Sequence, residues 1–238
     1  MRKTDKYLEK FYNTRAFFVE RYHRNEIKKI LKILEGIKAE NLLDIGCGNG
    51  TITKIIAKAV GADKVVGVDI STRQFIQARK KGIKTFRIDL NNEGIPIKTR
   101  FELIVCTDVL EHIFDPDHVL DEIYRLSKSN GYQLFSTPNF AAWYNRLALL
   151  LGWQPFNLDA SLHFKGYNPL FRFKEPYGHI RLFTKKSLIE LFERYGLKVI
   201  KFDTANLRHE SIIRNFVERS IPFKNLKSFL IFLTKRKG

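Results

Sequence analysis

The chain has 238 residues, is 44% hydrophobic and carries a formal net charge of +17. This length suits one sizeable α/β domain. No apolar run is long enough to span a bilayer, and the start Met1-Arg2-Lys3-Thr4-Asp5 lacks the apolar core of a signal peptide. The charge is uneven: residues 1–40 hold 11 basic and 6 acidic side chains, 41–137 hold 13 and 12, and 138–238 hold 18 and 7. The two flanks therefore carry the excess. Such a field favours phosphorylated metabolites, an anionic membrane surface or nucleic acid, whereas a Lys-rich solvated surface needs no partner. Cys47 and Cys106 fall in apolar segments and read as free thiols of a reducing cytoplasm. A cytoplasmic location, extending to peripheral contact with a membrane, is the expectation.

Residues 16–35 place Ala16, Phe17, Val19, Tyr22, Ile27, Ile30, Leu31 and Leu34 at helical spacing. Strands are then predicted over 42–45, 64–69, 85–88, 102–107 and 132–137. Helices are predicted over 51–60, 72–80 and 116–126. Such alternation argues for a parallel sheet with helices on both faces. Residues 138–180 interrupt it. They hold both tryptophans and ten of the 31 aromatic residues, together with Pro138, Pro155, Pro169 and Pro176. This stretch reads as an insertion over the strands' carboxyl ends, either a substrate-binding lid or a small helical extension with its own core. A helix over 185–195 capped by Thr184, a strand over 198–202, a helix near 210–219 and a strand over 228–234 complete the chain. The expected division is a helical cap (1–40), a core (41–137), the insertion (138–180) and a segment completing the sheet (181–238).

The most informative stretch is Leu42-Leu43-Asp44-Ile45-Gly46-Cys47-Gly48-Asn49-Gly50. Apolar residues run into an acid, and three glycines follow at G-x-G-x-G spacing. Glycines there permit left-handed backbone and close approach of a ligand where a strand's carboxyl end meets a helix. The dinucleotide fingerprint needs a further spacer residue. An acid before the first glycine would also repel a pyrophosphate but attract an ammonium group. Asp69 ends the second strand, 19 residues after Gly50, where an acid accepts from ribose hydroxyls or caps a helix. Asp89 and Leu90 end the third strand, with Asn91 and Asn92 as polar alternatives and a plain turn acid as the other reading.

These residues resemble the first motifs of class I S-adenosylmethionine-dependent methyltransferases. The resemblance implies a Rossmann-like, seven-stranded, mostly parallel α/β sheet with helices on both faces and the aromatic-rich insertion after the fifth strand. It implies S-adenosylmethionine as cofactor, bound by Asp44, Gly46, Cys47, Gly48, Asn49, Gly50, Asp69, Ile70, Asp89, Leu90, Cys106 and Thr107. In that scheme Asp44 meets the amine, Asp69 the ribose and Asp89 the adenine. The run Asp108-Val109-Leu110-Glu111-His112, followed by Asp115-Pro116, is similar to small-molecule relatives of the quinone-biosynthesis O-methyltransferases. It does not resemble the Asn/Asp-Pro-Pro-Tyr motif of enzymes that modify amino groups of nucleic acids.

His112 is the general-base candidate, because its ordinary pKa is near neutrality; a structural histidine capping the next turn is the alternative. Some quinone-pathway relatives hold a divalent cation with Glu-x-x-Glu-His. Here Asp108 replaces the first Glu, and no metal is expected. The segments Pro138-Asn139-Phe140 through Pro155 and Gly178-His179-Ile180-Arg181-Leu182-Phe183-Thr184 resemble a branch that includes methionine-biosynthesis-associated methyltransferase-like proteins. Asn139, Arg146, His179 and Arg181 are the substrate candidates, with bracing of the lid as the alternative for His179 and Arg181.

The expected activity is methyl transfer to a small or lipid-linked, anionic acceptor at oxygen. An RNA methyltransferase using the basic C-terminal half is the second reading, and a non-enzymatic S-adenosylmethionine-binding partner protein is the third. An anionic membrane surface and RNA are the further candidate partners.

Overall fold

The structure, a computed structural model, describes residues 24–161, 163–169, 176–206 and 220–237. Strands β1 (Asn41–Ile45), β2 (Lys64–Asp69), β3 (Lys84–Arg87), β4 (Phe101–Thr107) and β5 (Ser127–Pro138) pair in parallel. β7 (Phe229–Arg236) runs antiparallel to β5, and β6 (Leu197–Ala205) pairs antiparallel with β7. The order β3-β2-β1-β4-β5-β7-β6 is the seven-stranded, mostly parallel arrangement expected from the sequence.

The strands read as nearly continuous apolar runs because both faces of the sheet are covered. Side chains alternate between two cores. Leu43, Ile45, Ile104, Cys106, Phe135 and Phe232 face one layer with α4 (Pro116–Leu126) and α6 (Lys185–Arg194). Leu42, Leu103, Val105, Leu134, Ile231 and Leu233 face the other, with α1 (Arg24–Ile33) and α2 (Thr51–Val60). The period of two along each strand thus sorts residues into layers.

Caps set the helix starts. Ser71 accepts from Gln74 N at α3 (Thr72–Lys80), and Asp115 accepts from His118 N at α4 with Pro116 in its first turn. Thr184 and Ser187 form a reciprocal capping box at α6, the helix predicted to be capped by Thr184. β5 starts at Ser127, five residues before the predicted strand, and so follows α4 directly. The predicted helix over 210–219, and the part of the 16–35 helix before residue 24, lie outside the described residues.

The insertion contains a helix, α5 (Trp143–Leu150), as the helical-extension reading of this stretch expects. Ala142, Tyr144 and Phe156 form a small buried cluster, with Trp143 and Tyr177 packed against it. Its two ends are tied together: Phe140 N donates to Phe183 O at 2.9 Å, and Asn139 bridges to Phe183. This places the segment after the insertion beside the exit of β5.

Candidate active site

The carboxyl ends of β1, β2 and β4 lie side by side, with Ile45 opposite both Val68 and Cys106. The chain leaves β1 through the glycine turn. Gly46 has φ +75°, and a Cβ there would lie 2.3 Å from Val109 Cγ2, so only glycine lets the turn close against the segment after β4. Gly50 (φ +78°) starts α2 in the left-handed region, with Ile83 Cδ1 where its Cβ would be.

Two acids lie at this turn, and a third closes the turn after β3. Asp44 is buried, and its Oδ2 accepts from Thr53 Oγ1 at 2.5 Å, while no group in the structure donates to its buried Oδ1. Burial pushes its pKa up to about 7, against the pull of the Thr53 hydroxyl and with help from the charge of Asp69. Asp69 accepts from Gly48 N through Oδ2 and from Ser71 N through Oδ1, both at 2.8 Å. It therefore ties β2 to the glycine turn. Burial raises its pKa, and those two N–H groups oppose the rise. Asp89 closes the turn after β3, accepting from Asn91 N and from Asn92 Nδ2. The turn acid envisaged as its alternative role is thus present.

The remaining residues of the set divide by burial. Ile70 and Thr107 are half-buried, and Leu90 sits in the core. Asn49 accepts from Thr51 N and so shapes the start of α2. Cys47 and Cys106 are buried free thiols whose pKa values burial drives upward, which makes them inert packing groups.

A second group lies past β4. Glu111 is buried, accepts from Thr137 Oγ1 at 3.0 Å, and has its pKa raised well above the usual range by burial and then by Asp108. Its carbonyl accepts from Ile180 N and Arg181 N, which fastens the end of the insertion to the exit of β4. His112 Nδ1 faces Gly178 O at 3.0 Å, and His179 Nδ1 faces Asn157 O at 2.9 Å. The two imidazole rings meet edge to face, 4.8 Å apart. A carbonyl can only accept, so each Nδ1 carries a proton, and in a neutral ring Nε2 is then the basic nitrogen. Glu111, His112 and His179 offer one oxygen and two nitrogens within 4.8 Å of one another. A divalent cation could span that distance, while burial disfavours the ionised carboxylate that such a ligand set would use.

Of the substrate candidates, His179 is the one brought to His112. Arg181 donates through Nη2 to Phe114 O, and exposed Arg146 donates to Ala141 O. Asn139 is fully buried. Its Nδ2 donates to Asn225 O and Lys227 O, and its Oδ1 accepts from Ala141 N. Both amide protons are used in joining β5 to the approach of β7, so we assign Asn139 to the base of the insertion rather than to the acceptor.

The family model of the methyltransferase domain matches residues 18–201. The chain belongs to the methyltransferase-domain family. Its strand order is that of the class I methyltransferase fold. Among curated relatives, the ubiquinone biosynthesis O-methyltransferase of Bordetella avium is 28% identical over 117 residues, 46% of this chain and 47% of that protein. The chain thus spans about half the length of the curated relatives it matches. Among solved structures, a chain of the complex between the Haloferax volcanii Trm112 methyltransferase activator and a methyltransferase has a TM-score of 0.65. It is 14% identical, with 96% of each chain covered. The N-methyltransferase NodS of Bradyrhizobium japonicum, solved with S-adenosyl-L-homocysteine, has a TM-score of 0.63 at 14% identity over 100% of both chains.

The residues at the turn fit S-adenosylmethionine, the cofactor that the sequence resemblance implies. The buried Asp44 Oδ1 lacks a donor, which an ammonium group supplies, and the glycine turn leaves the main chain open beside it. Sequence spacing did not reveal Thr53, which orients Asp44 from nine residues downstream across the start of α2. A stability prediction follows from the sign of the Asp44 shift. The folded pKa lies above the unfolded one, so the folded form binds the proton more tightly. Burying the carboxylate costs nothing below about pH 4, and the cost grows to about 4 kcal/mol above pH 7. Cofactor-free Asp44→Asn is therefore expected to melt above wild type at pH 8, with the gap closing near pH 4, while it binds S-adenosylmethionine more weakly. Thermal scans across this range check it; a gap independent of pH would refute the assignment.

Proposed function

We propose that this methyltransferase acts on a hydroxyl of a small or lipid-linked, anionic acceptor. The observation that carries the reading is the His112 ring. Its Nδ1 proton is committed to Gly178 O, so its basic Nε2 is the nitrogen able to take a proton at the end of β4. Bound S-adenosylmethionine supplies an electrophilic methyl carbon on a positive sulfur. His112 would take the proton of an acceptor hydroxyl, whose oxygen would then bond the methyl carbon as the sulfur leaves as a neutral thioether. His179, edge-on to His112, lines the same approach from the insertion. Asp44 and Asp69 hold the donor, and the insertion limits access of water, so positioning supplies much of the rate.

An amphipathic acceptor is supported by the apolar surface of the insertion. Leu149, Leu150 and Leu151 are exposed at the end of α5, Leu150 to 82%, and Phe164 and Tyr167 are exposed nearby in sequence. Arg146 and the excess positive charge of residues 138–238 suit an anionic headgroup or substrate. No helix among the described residues is long and apolar enough to cross a membrane, so such contact would be peripheral. The name of the Bordetella relative, an O-methyltransferase, points the same way.

Incubation with methyl-labelled cofactor and fractionated cell extract tests the reading. Label is expected in a lipid or small-molecule fraction as a base-stable ether, and turnover is expected to survive dialysis against EDTA. Label in RNA would establish the second reading instead. Loss of activity with EDTA, restored by Mg²⁺ or Mn²⁺, would assign Glu111, His112 and His179 to a cation.

A further inference from the structure

The segment Tyr177-Gly178-His179 is held from both sides. On one side His112 donates to Gly178 O, and on the other Asp159 Oδ2 accepts from Gly178 N at 2.6 Å. The amides of Tyr177 and His179 also point at the Asp159 carboxylate, with looser geometry. Successive N–H groups converging on one anion form a nest, a stiff arrangement for a loop of only three residues. Lys165 is 7% exposed and sets its ammonium 3.3 Å from the Tyr177 ring centre and 4.5 Å from that of Phe156. Tyr177 in turn stacks on His179 at 5.3 Å with 19° between the planes. Contacts therefore run from Asp159 through Gly178 to His112, and from Lys165 through Tyr177 to His179.

Asp159 lies in the insertion and fixes the one glycine whose carbonyl meets the His112 ring. Gly178 has φ +77°, a conformation with few alternatives once its N–H and carbonyl are both engaged.

We infer that Asp159 is a positioning residue that locks His112 and His179 in the Nδ1–H tautomer by clamping the backbone of residues 177–179. Asp159 touches neither ring and acts through Gly178 and Tyr177. The inference rests on the proposed role of the histidines only for its catalytic consequence; the clamp itself concerns their protonation pattern.

Long-range ¹H–¹⁵N correlation spectra of the imidazole nitrogens, recorded on full-length protein with S-adenosyl-L-homocysteine, read that pattern directly. Wild type is expected to show protonated Nδ1 on both rings. Asp159→Ala is expected to lose the Nδ1–H pattern at His112, whereas Asp159→Asn, which keeps an oxygen for Gly178 N, retains it. Affinity for S-adenosyl-L-homocysteine should stay within about twofold in all three, since the clamp is remote from Asp44 and Asp69. Where the alanine variant does not fold, Asp159→Ser is read in the same way, because its shorter side chain falls short of the three amides. A His112 tautomer unchanged in a folded Asp159→Ala or Asp159→Ser protein overturns the inference. An unaltered tautomer pattern says nothing against His112 as base, whereas full turnover in His112→Ala would refute the base and leave the clamp standing.

Discussion

Asp69→Ala is expected to weaken S-adenosylmethionine binding at least ~100-fold, or about 2.7 kcal/mol. The physical basis is double. A carboxylate at the end of β2 can accept from both ribose hydroxyls, and hydrogen bonds to a charged group contribute about 1.5–3 kcal/mol each. The same carboxylate receives Gly48 N and Ser71 N at 2.8 Å, so alanine also leaves two backbone donors of the binding turn without their partner. Asp69→Asn keeps one acceptor oxygen and should lose about tenfold. Calorimetric titration with the cofactor gives both numbers, and circular dichroism confirms that the sheet persists. Affinity within threefold of wild type in a folded Asp69→Ala protein would remove Asp69 from the cofactor site.

The second large effect concerns the chemical step. His112→Ala should lower kcat by about 10²–10⁴, the usual contribution of a positioned acid–base group, with cofactor affinity unchanged within about twofold. His112 stands on the short helical turn Leu110–His112 after β4 and bonds Gly178, whereas Asp44 and Asp69 bond Thr53, Gly48 and Ser71, so its loss should leave those bonds in place. His112→Gln keeps a side-chain group able to donate to Gly178 O but no base of comparable strength. It should therefore preserve the insertion's position without restoring turnover. Equal turnover in wild type and alanine variant would assign His112 to structure alone.

These two residues also mark how far each kind of information reaches. Asp69 was legible because its setting is local and periodic: an apolar run, an acid at its end, and a glycine turn a fixed distance before it. The G-x-G-x-G spacing carries the same kind of signal, since positive φ at Gly46 and Gly50 restricts which residues can stand there. The strands were legible for a related reason. A sheet covered on both faces demands apolar residues at nearly every position, and Leu42–Ile45 and Phe229–Arg236 meet that demand without reference to neighbours.

The substrate side was less legible. Asn139 and His179 look alike in sequence as polar residues flanking an aromatic insertion. The fold separates them: Asn139 is enclosed by the carbonyls of Asn225 and Lys227, more than 80 positions away, whereas His179 comes within ring contact of His112. Asp159 gave no local signal at all, because its partners lie 19 residues on and become neighbours only when the insertion folds back. Glu111 drew notice for its spacing to His112, but its neutralising burial and its bond to Thr137 depend on β5 lying beside β4.

The sequence by itself determined the order of strands and helices, the glycine turn and the acids at the strand ends, because each depends on backbone geometry within a few residues. Only the tertiary structure decided which polar groups meet at His112. That cluster is assembled from the exits of β4 and β5 and the far end of the insertion. Contacts between segments this distant are selected by the packing of the whole sheet, which leaves no periodic trace in the chain.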